Sequence, residues 1–362
     1  MKNYQLSRYM LLAFSFLVLI CSHAQVKTDA KPKSILFDKD DVMDITLSGS
    51  LKELMNDRSS DQSPYRPLNL LYKQAENMEQ SLSVEVKTRG HFRKMKENCN
   101  YPPLLLHFFP TDPLKASVFN GQDKVKLVMP CQGEEFLVKE WLVYKLYNLF
   151  TPLSFRARLV KVKLEDTKKP KLMPPFYGIL LEEEKQVARR NQLVDITRKV
   201  NPAQTDRETY LQMAVFEYFI GNTDWSVQYQ QNIKLMAKDS IEIPFTIPYD
   251  FDHSGFVGAP YAKPAEELEM SNIRERRYRG FCMPDLKGFD KTLVKFNSLK
   301  TDIYQLVTHC KLLDAKNIKN IIQFLDDFYT TINSSKMWQK DFAYPCDPNG
   351  TGNVVIKGLK VD

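Results

Sequence analysis

Gly221-Asn222-Thr223-Asp224-Trp225-Ser226, Gln231-Asn232-Ile233-Lys234-Leu235 and Ile247-Pro248-Tyr249-Asp250-Phe251-Asp252-His253-Ser254-Gly255 carry the densest group of acids and amides in the chain. The residues between them read as a hairpin, with Asn232 to Met236 going out and Glu242 to Ile247 returning. Both ends of that hairpin carry oxygen ligands, so Asp224, Asn232, Asp250 and Asp252 are expected to meet at one end of it. Hard oxygens gathered in this way suit Mg²⁺, which takes one or two carboxylates together with substrate phosphates. Alternation along a strand points Asp250 and Asp252 to the same side. Two like charges side by side call for a bridging cation. The competing explanation is that these acids cap turns or pair with Arg and Lys.

Upstream of the hairpin, strand signals dominate from Ile35 to about Glu184. Ile45–Ser48 and Leu82–Thr88 alternate with period two, and Leu104–Phe109, Lys124–Met129 and Leu159–Leu164 are further strand candidates. One helix interrupts them, Glu134–Phe150, with Leu137, Trp141, Tyr144, Leu146 and Leu149 at helical spacing and Thr151-Pro152 as its stop. After about Val194 the pattern becomes helical. Thr205-Asp206 can cap a helix over Arg207–Ile220 that Gly221 ends, and Lys287–His309 and Ala315–Asn333 are two more amphipathic segments. Gly258–Gly288, rich in charge, Pro and Gly, reads as a long surface excursion. The expected organisation is α+β, with a strand-rich N-terminal lobe over 35–195, a helical C-terminal lobe over 196–345 holding the hairpin, and a tail over 346–362. A site in the cleft between lobes follows from that order.

At the N-terminus, Lys2 and Arg8 precede an apolar run from Tyr9 to Ile20, and small residues follow at Ser22 and Ala24. That is the anatomy of a secretory signal peptide over 1–24, followed by a polar, disordered segment over 25–34. The expected destination is export, to the periplasm or beyond, without a transmembrane segment once the signal is cleaved. Cys21 raises lipoprotein anchoring as an alternative, against which Ile20 stands where a small residue is wanted. Of the net charge of +7, the signal carries two bases, leaving a mild +5 that attracts anions such as nucleotides but does not argue for nucleic acid. Cys99, Cys131, Cys282, Cys310 and Cys346 show no CxxC pair, which disfavours zinc. An oxidising compartment permits two disulfides. Cys99 with Cys131 and Cys282 with Cys346 is the expected pairing, although sequence does not fix it.

Asn222-Thr223-Asp224, then Asn232-Ile233-Lys234-Leu235, then Pro248-Tyr249-Asp250-Phe251-Asp252 resembles the core of the CotH family of atypical protein kinases. Arg89-Gly90 and the segment Gly178-Ile179-Leu180-Leu181-Glu182-Glu183-Glu184 resemble that family's N-terminal elements. The resemblance implies a bilobal protein-kinase-like fold, ATP as co-substrate, Mg²⁺ as cofactor and a protein or cell-surface acceptor. It implies Asp224 in the catalytic-loop position, Asn232 and Asp250 on the metal with Asp252 beside them, Arg89 on phosphate, and Glu184 as partner of the phosphate-contacting lysine. The family's lysines are replaced here by Asn100-Tyr101-Pro102-Pro103, so that lysine is expected to be Lys124 or Lys126, with Lys87 and Lys94 as further candidates. Loss of the anchoring lysine makes a pseudokinase the companion expectation.

Two other classes compete. An acidic pair at a strand end also serves metal-dependent nucleotide-sugar glycosyltransferases, but their acids follow a βαβ half that this chain lacks. A non-catalytic envelope adhesion or assembly module is the third. Around the core, His253 is either an acid/base or structural, and Trp225 is placed to line a nucleotide cleft. The run Arg274–Arg279 either grips an acidic substrate or is a solvated loop.

Overall fold

Seven strands wind into a closed barrel in the computed structural model, which describes residues 35–58, 62–73, 79–168 and 174–350. The expected signal segment, the polar segment over 25–34 and the last part of the tail fall outside the described residues. The barrel strands are β1 (Met43–Gly49), β2 (Arg66–Lys73), β3 (Glu79–Thr88), β4 (Leu104–Phe108), β5 (Lys124–Val128), β6 (Ala157–Asp166) and β7 (Phe176–Leu181). Neighbours run in the order β1-β2-β3-β4-β5-β7-β6, and β6 returns to pair with β1 in parallel, Met43 opposite Val160. Period-two alternation turns Ile45, Leu47, Leu70, Val84, Val86, Leu106 and Val125 into the lumen as one apolar cluster.

Closure of this barrel overturns the bilobal protein-kinase-like fold expected from the sequence. Alternation tells which side chains share a face, but not which strand each edge meets. The parallel β1–β6 contact and the unread strand β2 decide closure. Leu68, Leu70 and Tyr72 of β2 do alternate inward, but Pro67 argues locally against a strand with neighbours on both sides.

The helices complete the molecule. Two short ones, α1 (Leu51–Asn56) and α2 (Asp112–Lys115), lie among the barrel strands, and α3 (Glu134–Phe150) occupies the expected range. A short α4 (Glu184–Arg190) follows β7, and α5 (Arg207–Ile220) again has the expected bounds. Its N-cap Asp206 accepts the Thr209 N–H at 2.9 Å, and Gly221 ends it in the left-handed region at φ 65°. The small sheet β10-β9-β8 comprises β8 (Val194–Asp195), β9 (Ile233–Ala237) and β10 (Phe245–Pro248), the last two forming the expected hairpin. The segment read as one helix over Lys287–His309 divides at Leu299 into α6 (Asp290–Ser298) and α7 (Lys300–Thr308); α8 (Ala315–Ile332) and α9 (Ser335–Ala343) follow.

A single apolar core runs from Val128 through α3 and α5 to Phe342 on α9, across the expected boundary at 195. Helix α3 is buried on several sides, because it lies between barrel strands β6 and β7 and helix α7, with Tyr147 and Phe150 meeting Phe216 of α5. Disulfides join Cys99 to Cys131 and Cys282 to Cys346, and Cys310 is free and buried. Residues 258–288 are not a surface excursion. Leu268, Tyr278 and Met283 are buried, and the Arg276 guanidinium lies 3.7 Å over the Phe324 ring. No helix among the described residues is long and apolar enough to cross a membrane.

Candidate functional site

The outer wall of the barrel supplies a basic floor. Register places Lys87 of β3 opposite Leu105 of β4, Leu105 opposite Lys126 of β5, and Lys126 opposite Leu181 of β7. Their side chains share the outer face, because Val125 and Leu127 take the inward positions of β5. A cavity of about 530 Å³ opens over this row, and Arg89, Lys124, Lys126 and Glu184 all line it. Four cationic or acidic candidates from distant stretches therefore meet in one cleft. Phe155, Leu181 and Tyr249 add an apolar side, with the Phe155 and Tyr249 rings 5.4 Å apart.

Individual partners sort the lysines. Lys94 is buried, with its ammonium donating to Ser63 Oγ at 2.6 Å and lying 3.9 Å from Asp57. Lys126, with 13% of its side chain exposed, reaches to 3.9 Å from Asp250 Oδ2. Burial lowers its pKa, opposed by Asp250. Glu184 does not partner that lysine. It sits at the start of α4, 2.5 Å from Lys234 Nζ on β9. Glu182, rather than lining the cleft as a free acid, is held by Arg156 and Arg190.

The acids of the hairpin end are not in the cleft lining; they adjoin it through Lys126 and Tyr249. Asn232 directly precedes β9 and Asp250 stands two residues after the end of β10, and both adopt left-handed backbone, φ 52° and 63°. Asn and Asp are the non-glycine residues that best tolerate this region, and such outliers cluster at functional sites. The Asp250 N–H donates to the Tyr144 hydroxyl at 2.9 Å, leaving a carboxylate 32% exposed. Asn232 donates its amide N–H to Asp224 Oδ2 at 3.0 Å, and Gln231 donates to Asp224 Oδ1. Burial raises the Asp224 pKa; His253 opposes that, and the Asp252 and Asp250 charges add to it.

Asp252 takes a different position from the one expected. Its Oδ2 accepts from Arg93 Nε at 2.7 Å and from the Tyr261 hydroxyl at 3.0 Å. Burial alone would raise its pKa, but Arg93 and then His253 hold it down to about 2. At Oδ2 this carboxylate is the counter-ion of an arginine. Arg93 also donates to Glu140 Oε2 at 2.6 Å, and burial pushes that carboxyl up to about 7. Sequence reading missed Arg93, Glu140, Tyr144 as a hydrogen-bonding residue, and Tyr261. The signal for Glu140 was present: an acid on α3 three residues after buried Leu137 and four before buried Tyr144, on the apolar stripe itself.

Other candidates fall away from the cleft. Trp225 is in the core. The arginines from 274 to 279 hold backbone carbonyls: Arg276 bonds Phe219 and Phe324, and Arg279 bonds Thr223 at 2.7 Å. Among the described residues, no group of three His, Cys, Asp or Glu is arranged to hold a metal ion alone. Mg²⁺ does not need one, since phosphate and water oxygens complete its shell. The exposed Asp250 carboxylate and the Asn232 amide oxygen fit such a shared site. No family model matches the chain, and no curated protein matches its sequence.

Proposed function

We propose that this protein binds ATP with Mg²⁺ in the cleft between the barrel wall and the hairpin, and transfers the terminal phosphoryl group to a hydroxyl of a protein or cell-surface acceptor. The observation that carries this reading is the convergence of Arg89, Lys124 and Lys126 in one cavity, with Asp250 beside its lining, 3.9 Å from Lys126. Cations and a carboxylate side by side suit a ligand that brings both negative phosphates and a divalent ion. The chemistry implied by the CotH-like resemblance is retained here, and the bilobal architecture is not.

Arg89, Lys124 and Lys126 hold phosphate oxygens, and the Phe155–Tyr249 side takes the base. Asp250 and Asn232 would hold Mg²⁺, which neutralises charge developing on the transferred group. Asp224 orients the acceptor hydroxyl and takes its proton. The acceptor oxygen–phosphorus bond forms as the bond from phosphorus to the bridging oxygen breaks, and the nucleoside diphosphate leaves. Burial, which raises the Asp224 pKa, makes it the stronger base. Pairing of Asp252 Oδ2 with Arg93 favours this reading over a glycosyltransferase, which would use two open acids. The two disulfides favour an exported protein.

Thermal melts with ATP, Mg²⁺ and both together test this reading. The expected result is a rise in Tm that requires nucleotide and is enlarged by Mg²⁺. Asp250→Asn, which keeps the left-handed backbone accessible, should lose the Mg²⁺-dependent part. A full shift in that variant would refute the assignment.

A further inference from the structure

Arg93 lies three residues beyond the Arg89-Gly90 turn and sends its guanidinium away from the cleft, into the body of the molecule. One edge meets Asp252 and the other meets Glu140, from segments 159 and 47 residues away. We propose that Arg93 is a positioning residue, whose clamp on Asp252 and Glu140 fixes the segment 250–252 so that Asp250 presents its carboxylate to a nucleotide-bound Mg²⁺. This rests on the proposed function, and it assigns to Asp252 the part of an anchor.

Three features support it. Helix α3 grips the same segment twice, through Glu140 by way of Arg93 and through Tyr144, one turn later, which accepts the Asp250 N–H. Asp250 stands at φ 63°, a conformation that persists only where its surroundings hold it. Finally, a carboxylate–guanidinium–carboxylate cluster adds little stability over a well-packed apolar one, so its place two residues from Asp250 is better explained by geometry. Two separate nitrogens of one planar group, Nη2 and Nε, serve the two carboxylates at 2.6 and 2.7 Å; a lysine ammonium would have to draw both to a single nitrogen on a flexible stem. Tyr261 adds a second tie to the Asp252 oxygen, and Phe92 packs its ring on His253 and Tyr261 at 5.6 and 5.5 Å. The loop that bears Arg89 is thereby fixed to the acids it faces.

The test separates metal from nucleotide. ATP binding is titrated in chelator, and Mg²⁺ binding is then titrated at saturating ATP, for the wild type, Arg93→Lys and the charge-neutral triple variant Arg93→Met, Glu140→Gln, Asp252→Asn. The triple variant leaves no buried charge unpaired in the cluster and guards against simple unfolding. The expected result for both is metal-free ATP affinity within about twofold of wild type and Mg²⁺ affinity weakened about 10- to 100-fold, as for lost supports of metal ligands. Folded variants that keep wild-type Mg²⁺ affinity would overturn the proposal while leaving the function intact. Wild-type protein that binds no ATP would overturn both.

Discussion

Lys126 Nζ and Asp250 Oδ2 lie 3.9 Å apart, on the barrel wall and at the hairpin end respectively. That separation is too long for a good hydrogen bond and short enough for strong attraction where solvent is scarce. Lys126→Ala should weaken ATP binding at least tenfold, read by calorimetry, with little change in Tm, because a lysine whose charge is disfavoured by burial is removed. Unaltered affinity would move the phosphate contact to Lys124 or Arg89.

Glu140 makes stability depend on pH in an unusual direction. Its folded pKa of about 7 exceeds the ordinary carboxylate value of 4.5, so the folded state binds more protons between those pH values. Stability therefore falls as pH rises through that window, by about 1.4 kcal/mol per unit at most. Glu140→Gln should flatten this fall in denaturant titrations between pH 5 and 7. The Asp252 contribution has the opposite sign and is lost only as pH drops from about 4 towards 2.

Tyr144→Phe deletes the hydroxyl that accepts the Asp250 N–H in a buried setting. A cost of about 1–3 kcal/mol is expected in urea unfolding. Mg²⁺ dependence of the ATP-induced shift should weaken with it, since the segment 250–252 loses one of its two ties to α3.

Opening Cys99–Cys131 by the double change to Ser frees a loop of 32 residues and should cost about 3–4 kcal/mol. Because Arg93 stands only six residues before Cys99, the loss is expected to reach metal binding, whereas opening Cys282–Cys346 should lower Tm alone.

Arg276→Met separates the two readings of the arginine run. With its guanidinium on Phe324 and on two carbonyls, Arg276 should cost about 2–4 kcal/mol of stability when replaced and leave nucleotide affinity unchanged.

Much of the local structure was legible in the residues. Helices α3 and α5 ran to their expected ends because Thr151-Pro152 and Gly221 act on the chain within one turn. The hairpin was legible because alternation and turn residues lie within a few positions of each other. Leu299 divided an expected helix, and β2 went unread, because both outcomes depend on neighbours distant in sequence. Of the site, residue types pointed to the acids and to the basic strand Lys124–Val128, but not to their partners.

By itself, then, the sequence determined the periodic elements, the cysteines available for pairing and the group of oxygen ligands at the hairpin. Tertiary structure alone decided that the strands close into a barrel, that Asp250 approaches Lys126 while Asp252 turns to Arg93, and that Glu184 joins Lys234. The physical reason is range. Periodicity and capping act over a few residues, whereas an ion pair between positions 93 and 252 exists only where the tertiary fold brings together side chains 159 residues apart.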